Sequence, residues 1–146
     1  MEKASSSGKS AIKLLRERGL KDTLPRRLVI TLLESLSRAA SPQDIQKHLD
    51  ERGQYVNIVT VYRILATLER IQLVHRHPCN GLYSLCTLPD QHGHHGFLHC
   101  IACGHVDEFA DGDLCKVEDR IARSASFKPV SHVSEIVGTC LRCQPQ

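Results

Sequence analysis

The chain has 146 residues, a net charge of +3, 41% hydrophobic residues, no Trp, three Phe and three Tyr. These values exclude wholesale disorder and a large aromatic core. They favour one ordinary core, or two small lobes that lean on metals, disulfides or a second subunit. No stretch approaches the roughly 18 apolar residues of a membrane span, and "MEKASSSGKSAIKLL" shows no secretory signal, so a cytoplasmic protein without a membrane partner is expected. In that reducing setting seven Cys favour metal over disulfides.

Charge is unevenly spread. Residues 1–78 carry 14 Lys/Arg against 8 Asp/Glu, and residues 79–146 carry 5 against 8. A basic first half beside an acidic second half suggests that the first half meets a polyanion.

In chain order, "SAIKLLRERG" has helical spacing and stops at Gly19. Pro25 opens a second helix, "PRRLVITLLESLS", with Leu28, Leu32, Leu33 and Leu36 on one side. Ser41-Pro42 caps a third helix, "SPQDIQKHLDERG". A fourth starts near Asn57 or Val59 and runs to about Arg70; Val61, Ile64, Leu65, Leu68 and Ile71 form its apolar stripe. Its other side shows Thr60, Tyr62, Arg63, Thr67 and Arg70, suited to phosphates and base edges. "LVHRHPCNGLYSLC" then reads as a hairpin around Asn80-Gly81, with a two-residue type I′ turn. Three helices followed by a hairpin are the order of a winged helix-turn-helix.

"TLPDQHG", residues 87–93, is rich in breakers and reads as a hinge. It divides the chain into a winged-helix domain at 1–86 and a second lobe at 94–146. In that lobe "GFLHC" and "HVDEF" predict strands joined by a knuckle. "GDLCKVEDRIARSASF" predicts a helix with Leu114, Val117 and Ile121 in phase, and "PVSHVSEIVG" a third strand. The fold class expected is α+β.

Cys100 and Cys103 make one C-x-x-C knuckle, and Cys140 and Cys143 make another, with 36 residues between the two. Each spacing lets both sulfurs reach one ion, and four thiolates close a tetrahedral zinc site that leaves no position for a substrate. This quartet is read as a structural zinc.

A second, mixed site is suggested by the hairpin. A two-residue turn at Asn80-Gly81 places His75 directly opposite Cys86, with Cβ atoms about 4.5–5.5 Å apart. The hinge region offers His92, His94 and His95 as further ligands, and the strand after the first knuckle offers Glu108.

At these residues the chain resembles the ferric uptake regulator family of bacterial metal-dependent repressors. The likeness begins at "GLKDTLPRR", runs through "TVYRILATLE" and "HGHHGFLHCIACG", and closes with "HVSEIVGTCLRC". It implies an N-terminal winged helix, a small α/β dimerisation lobe, and a homodimer that binds an AT-rich palindromic operator in double-stranded DNA when metal-loaded. The zinc uptake branch is the nearest in pattern. Its sensing positions match His75, Cys86, His94 and Glu108, which implies one structural and one regulatory Zn²⁺ per subunit and control of zinc-uptake genes. A thiolate in the set suits zinc better than iron. An iron- or peroxide-sensing member of the family is the alternative.

The same resemblance matches Tyr62 and Arg63 to base contacts, and Arg26 and Lys21 to phosphate contacts. Thr60 joins them from the helix pattern. Two departures stand out. Gly96 and Phe97 replace residues that ligate in many members, and Cys115 stands where iron-type members often place a helical glutamate. The departures leave open whether the additional site of those members exists here, with Cys115 and His132 as its candidate residues. A zinc hydrolase using Glu108 as base would need an open metal position. Four protein ligands close it, so neither an enzyme nor a small-molecule substrate is expected.

Overall fold

A computed structural model describes residues 10–89, 95–130 and 132–145. The chain divides into two compact units, residues 1–89 and 90–146.

In the first unit, α1 (Ala11–Glu17), α2 (Leu24–Ser35), α3 (Pro42–Glu51) and α4 (Ile58–Arg70) precede β1 (Val74–Arg76) and β2 (Tyr83–Leu85). Each helix starts where its capping chemistry sits. Ser10 accepts from the Lys13 N–H and Asn57 from the Val59 N–H. Thr23 makes no side-chain cap, and there Pro25 in the first turn supplies the preset φ instead. Ser41 and Asp44 form a reciprocal capping box: the Asp44 N–H donates to Ser41 Oγ at 3.0 Å and the Ser41 N–H to Asp44 Oδ2 at 3.3 Å. The Ser41 hydroxyl, foremost, holds the Asp44 carboxyl below its usual range. Ser41→Ala is expected to lower stability by about 1 kcal/mol, read as an earlier denaturant midpoint at unchanged slope.

The helices bury one continuous core of Leu14, Leu15, Val29, Ile30, Leu32, Leu33, Ile45, Leu49, Val61, Leu65 and Leu68. The stripe expected of α4 is therefore its inner face, and Tyr62 and Arg63 are left outside. Asp22, nearly covered by its neighbours, binds the guanidinium groups of Arg16 and Arg27. The Arg27 hydrogen bond, then that of Arg16, holds its carboxyl below the usual range.

The hairpin departs from the expected turn. Partners are Val74↔Leu85, His75↔Ser84 and Arg76↔Tyr83, so His75 faces Ser84 rather than Cys86. The His77 N–H donates to the Leu82 carbonyl at 2.8 Å and the Gly81 N–H to the His77 carbonyl at 2.7 Å, which makes Pro78–Gly81 the loop. A type I′ turn needs positive φ at both central residues, and here only Gly81, at φ +70°, has it. A second constraint is non-local. Ala40 and Tyr83 exchange both backbone hydrogen bonds, at 2.9 Å each, along the free edge of β2. Helices α3 and α4 with this wing form a winged helix-turn-helix.

The second unit holds β3 (His95–Cys100), β4 (Val106–Ala110), α5 (Gly112–Ser124), β5 (Ser134–Gly138) and a 3₁₀ turn at Leu141–Cys143. The sheet order is β4-β3-β5, with β4 antiparallel and β5 parallel to β3. A parallel pair requires a crossover, which α5 supplies. The expected third strand is real but shorter, beginning only at Ser134. Asp111 caps α5 through the Asp113 and Leu114 N–H groups. The in-phase Val117 and Ile121 of α5 are both exposed, as are Phe127, Val130, Ile136 and Leu141. Gly96 lies beneath Phe109: a Cβ there would stand 2.2 Å from Phe109 Cζ, so the small residue is what lets that ring lie on the strand. Among the described residues no helix is long and apolar enough to cross a membrane.

Candidate metal centres and nucleic-acid interface

The four cysteines of the two knuckles meet. Their sulfurs all lie within 4.8 Å of one another, and Cys103 Sγ stands 3.8 Å from Cys140 Sγ. A tetrahedron with metal–sulfur bonds of about 2.3 Å has edges of about 3.8 Å. The local folding that produces this is simple. After Cys100 the chain turns through Gly104 at φ +73°, closing with the Gly104 N–H on the Cys100 carbonyl at 2.9 Å. The second knuckle is the 3₁₀ turn, with the Cys143 N–H on the Cys140 carbonyl at 2.8 Å. Parallel pairing brings Cys100 opposite Gly138 and so delivers Cys140 to the same corner. The thiols hold protons unequally: the Cys140 N–H, donating to Cys100 Sγ at 3.3 Å, lowers Cys100 to about 6, while the neighbouring Cys140 sulfur, foremost, pushes Cys143 up to about 12. A cation binding here displaces protons, so its hold weakens as pH falls.

The mixed-site candidates fall into two halves. In the first unit His75 and Cys86 offer ligand atoms within 4.8 Å of each other, although they are not direct partners. With His75 opposite Ser84, Cys86 is its diagonal neighbour on the same face, a separation that long side chains span. Cys86 is buried, and its N–H on the Leu73 carbonyl at 2.9 Å extends the ladder.

In the second unit Glu108 is directly opposite Phe97, and His95 is its diagonal neighbour on the same face. His95 Nδ1 and Glu108 Oε1 are in hydrogen-bond contact, both side chains nearly buried. The hinge histidines were offered together and the resemblance marks His94, which lies outside the described residues, as does His92. The signal for His95 lay in strand phase: only the β3–β4 register tells which histidine shares a face with Glu108. Four residues after His95 on the same face, His99 lies 3.8 Å from Glu135.

A further group in the second unit joins Cys115, Glu118 and His132, their ligand atoms within 4.8 Å of one another. Glu118 Oε2 lies 2.9 Å from His132 Nε2, and Ser134 Oγ donates to Glu118 Oε1. Cys115 and Glu118 lie one turn apart on α5, the spacing at which helical side chains meet. Sequence reasoning named Cys115 and His132 but missed Glu118.

Of the DNA-contact candidates, Lys21, Tyr62 and Arg63 are exposed and Thr60 and Arg26 are half-buried. The Arg26 guanidinium donates to the Lys21 carbonyl at 2.8 Å, which sets the loop before α2. Tyr55 and Val59, which sequence reasoning passed over, are exposed beside the start of α4.

Comparison with known proteins accounts for this combination. A sequence profile of the ferric uptake regulator family matches residues 17–137. A ferric uptake regulation protein of Legionella pneumophila is 40% identical over 131 residues, covering 89% of this chain and 96% of that protein. One of Pseudomonas aeruginosa is 40% identical over 119 residues, covering 81% and 88%. Among solved structures, a zinc uptake regulator complexed with zinc and DNA matches with a TM-score of 0.82 at 27% identity, covering 91% of this chain and 89% of that one. Profile, relatives and fold agree: the chain belongs to the ferric uptake regulator family and is a metal-responsive, DNA-binding transcriptional regulator, not an enzyme.

Proposed function

We propose that this protein is a zinc-activated repressor that binds an AT-rich palindromic operator as a homodimer in the cytoplasm and controls zinc-uptake genes. The observation that carries zinc as the sensed metal is the Cys86 thiol beside the His75 ring. A thiolate with imidazole is a donor set for zinc, whereas an iron sensor is expected to use nitrogen and oxygen alone. The matching solved structure that contains zinc and DNA supports the same reading.

The cysteine quartet holds a structural zinc, since four thiolates close the coordination sphere. The regulatory zinc takes His75 and Cys86 from the wing and Glu108 from the second unit. The fourth ligand is a histidine at the start of β3: His95 by its contact with Glu108, in place of the His94 that the resemblance marks. Each half alone offers two ligands, too few for a closed zinc site. One ion satisfying both halves restrains the intervening hinge and selects the arrangement in which two recognition helices enter successive major grooves, about 34–36 Å apart. The metal shifts that population only by binding the closed arrangement better than the open one. The exposed Ile121, Phe127, Val130, Ile136 and Leu141 of the second unit support a second copy of the chain as what covers them.

Cys86→Ser tests this reading. The variant should bind operator as weakly with zinc as the wild type does with a zinc chelator. Chelator-sensitive binding retained at wild-type strength would end the proposal. Iron sensing is the second reading, favoured by the names of the 40%-identical relatives.

A further inference from the structure

The recognition surface contains a polar contact between its two helices. Gln43, the second residue of α3, donates from Nε2 to the Tyr62 hydroxyl of α4 at 2.9 Å. Both side chains are exposed, as is that of Arg63 next to Tyr62. Gln43 also sits on a fixed base: Pro42 before it is buried, and the Ser41–Asp44 box locks the first turn of α3.

A primary amide carries two N–H donors and one carbonyl acceptor. With one N–H committed to Tyr62, Gln43 presents one donor beside one acceptor in a single plane. That pair complements adenine in the major groove, which shows an N7 acceptor beside an N6 donor. Guanine shows two acceptors, N7 and O6, and would set O6 against the Gln43 carbonyl. The phenol does more than occupy a hydrogen. By fixing the plane of the amide it reduces the freedom lost on contact, and its ring remains available to a neighbouring thymine methyl.

We propose that Gln43 is a specificity-determining residue that reads one adenine in each operator half-site, with the Tyr62 hydroxyl as the group that positions it. The assignment rests on the operator-binding reading above and names the base chemistry that this surface selects.

The test uses the full-length, zinc-loaded protein and a duplex selected by it from a randomised pool. Each half-site adenine is replaced in turn by 7-deaza-adenine, which lacks the N7 acceptor. Wild type should lose about 10-fold in affinity at one position per half-site. Gln43→Ala should bind the unmodified duplex about 10-fold more weakly and be indifferent to the replacement at that position, the non-additivity expected of a contacting pair. Tyr62→Phe keeps the ring and should show reduced discrimination there. Thermal unfolding of each variant should match wild type, since both side chains are exposed. Unchanged 7-deaza sensitivity in Gln43→Ala, or a preference for guanine at that position, would overturn the assignment. Failure of the zinc-loaded wild type to enrich any duplex would instead overturn the operator-binding reading beneath it.

Discussion

A Cys140→Ser variant is expected to lose the folded second unit, the largest effect of any single substitution in this chain. Many of that unit's apolar groups are poorly covered: Ile136 is 60% exposed and Leu141 86%. A quartet of thiolates around zinc supplies roughly 10 kcal/mol or more of folding free energy, on the order of a whole domain's net stability of about 5–15 kcal/mol. Circular dichroism should show loss of the β3–β5 sheet signal in the variant, with one zinc fewer per chain by mass. The first unit has its own core and should retain its helices. A wild-type melting curve for the variant, at normal zinc content, would contradict the structural role.

Within the metal-free quartet the contribution of Cys100 has a definite pH sense, which the raised Cys143 opposes only above its ordinary value of 9.0. Cys100 is lowered from an ordinary value of 9.0 to about 6, so its ionisation adds stability that is complete above about 9 and is lost as pH falls toward 6. Zinc binding shows the same direction, because it requires all four thiolates. Zinc retention measured by competition with a chromogenic chelator should fall as the solution is acidified.

The second large effect falls on regulation. Glu108→Gln and His95→Ala are each expected to weaken zinc-dependent operator binding at least 10–100-fold at limiting free zinc, since even outer partners of a metal ligand have effects of that size. Binding measured at saturating zinc should recover part of the loss, which separates a ligand defect from a damaged recognition surface. His94→Ala provides the internal comparison. Should His94→Ala lose zinc response while His95→Ala keeps it, the histidine assignment made from the β3–β4 register is wrong and the resemblance is right.

How much of this was legible in the sequence varies with the range of the interactions involved. Helices α1 to α4 follow from local capping and a 3.6-residue stripe, so Ser41, Asn57 and the Val61–Leu68 pattern suffice to place them. The knuckle cysteines are equally local in their pairs, and spacing alone joined them. The wing failed at register: Asn-Gly signals a two-residue turn, but the Ala40–Tyr83 pairing and the positive φ at Gly81 alone produce a four-residue loop. His75 and Cys86 still share a face because a shift of two in register moves a partner from opposite to diagonal. The contact of His95 with Glu108 was not legible because its face depends on β4, nor that of Glu118 because its partner His132 lies outside α5. The apolar phase of α5 was read correctly, yet it faces outward in the isolated chain, which no single sequence discloses.

One measurement bears most directly on the account: operator affinity titrated against Zn²⁺, Fe²⁺ and Mn²⁺, each buffered at defined free concentration. Zinc should activate binding at free concentrations far below those needed of iron or manganese, and Cys86→Ser should abolish that advantage. Activation by Fe²⁺ at lower free concentration than Zn²⁺, unaffected by Cys86→Ser, would contradict zinc as the sensed metal and make this protein an iron sensor.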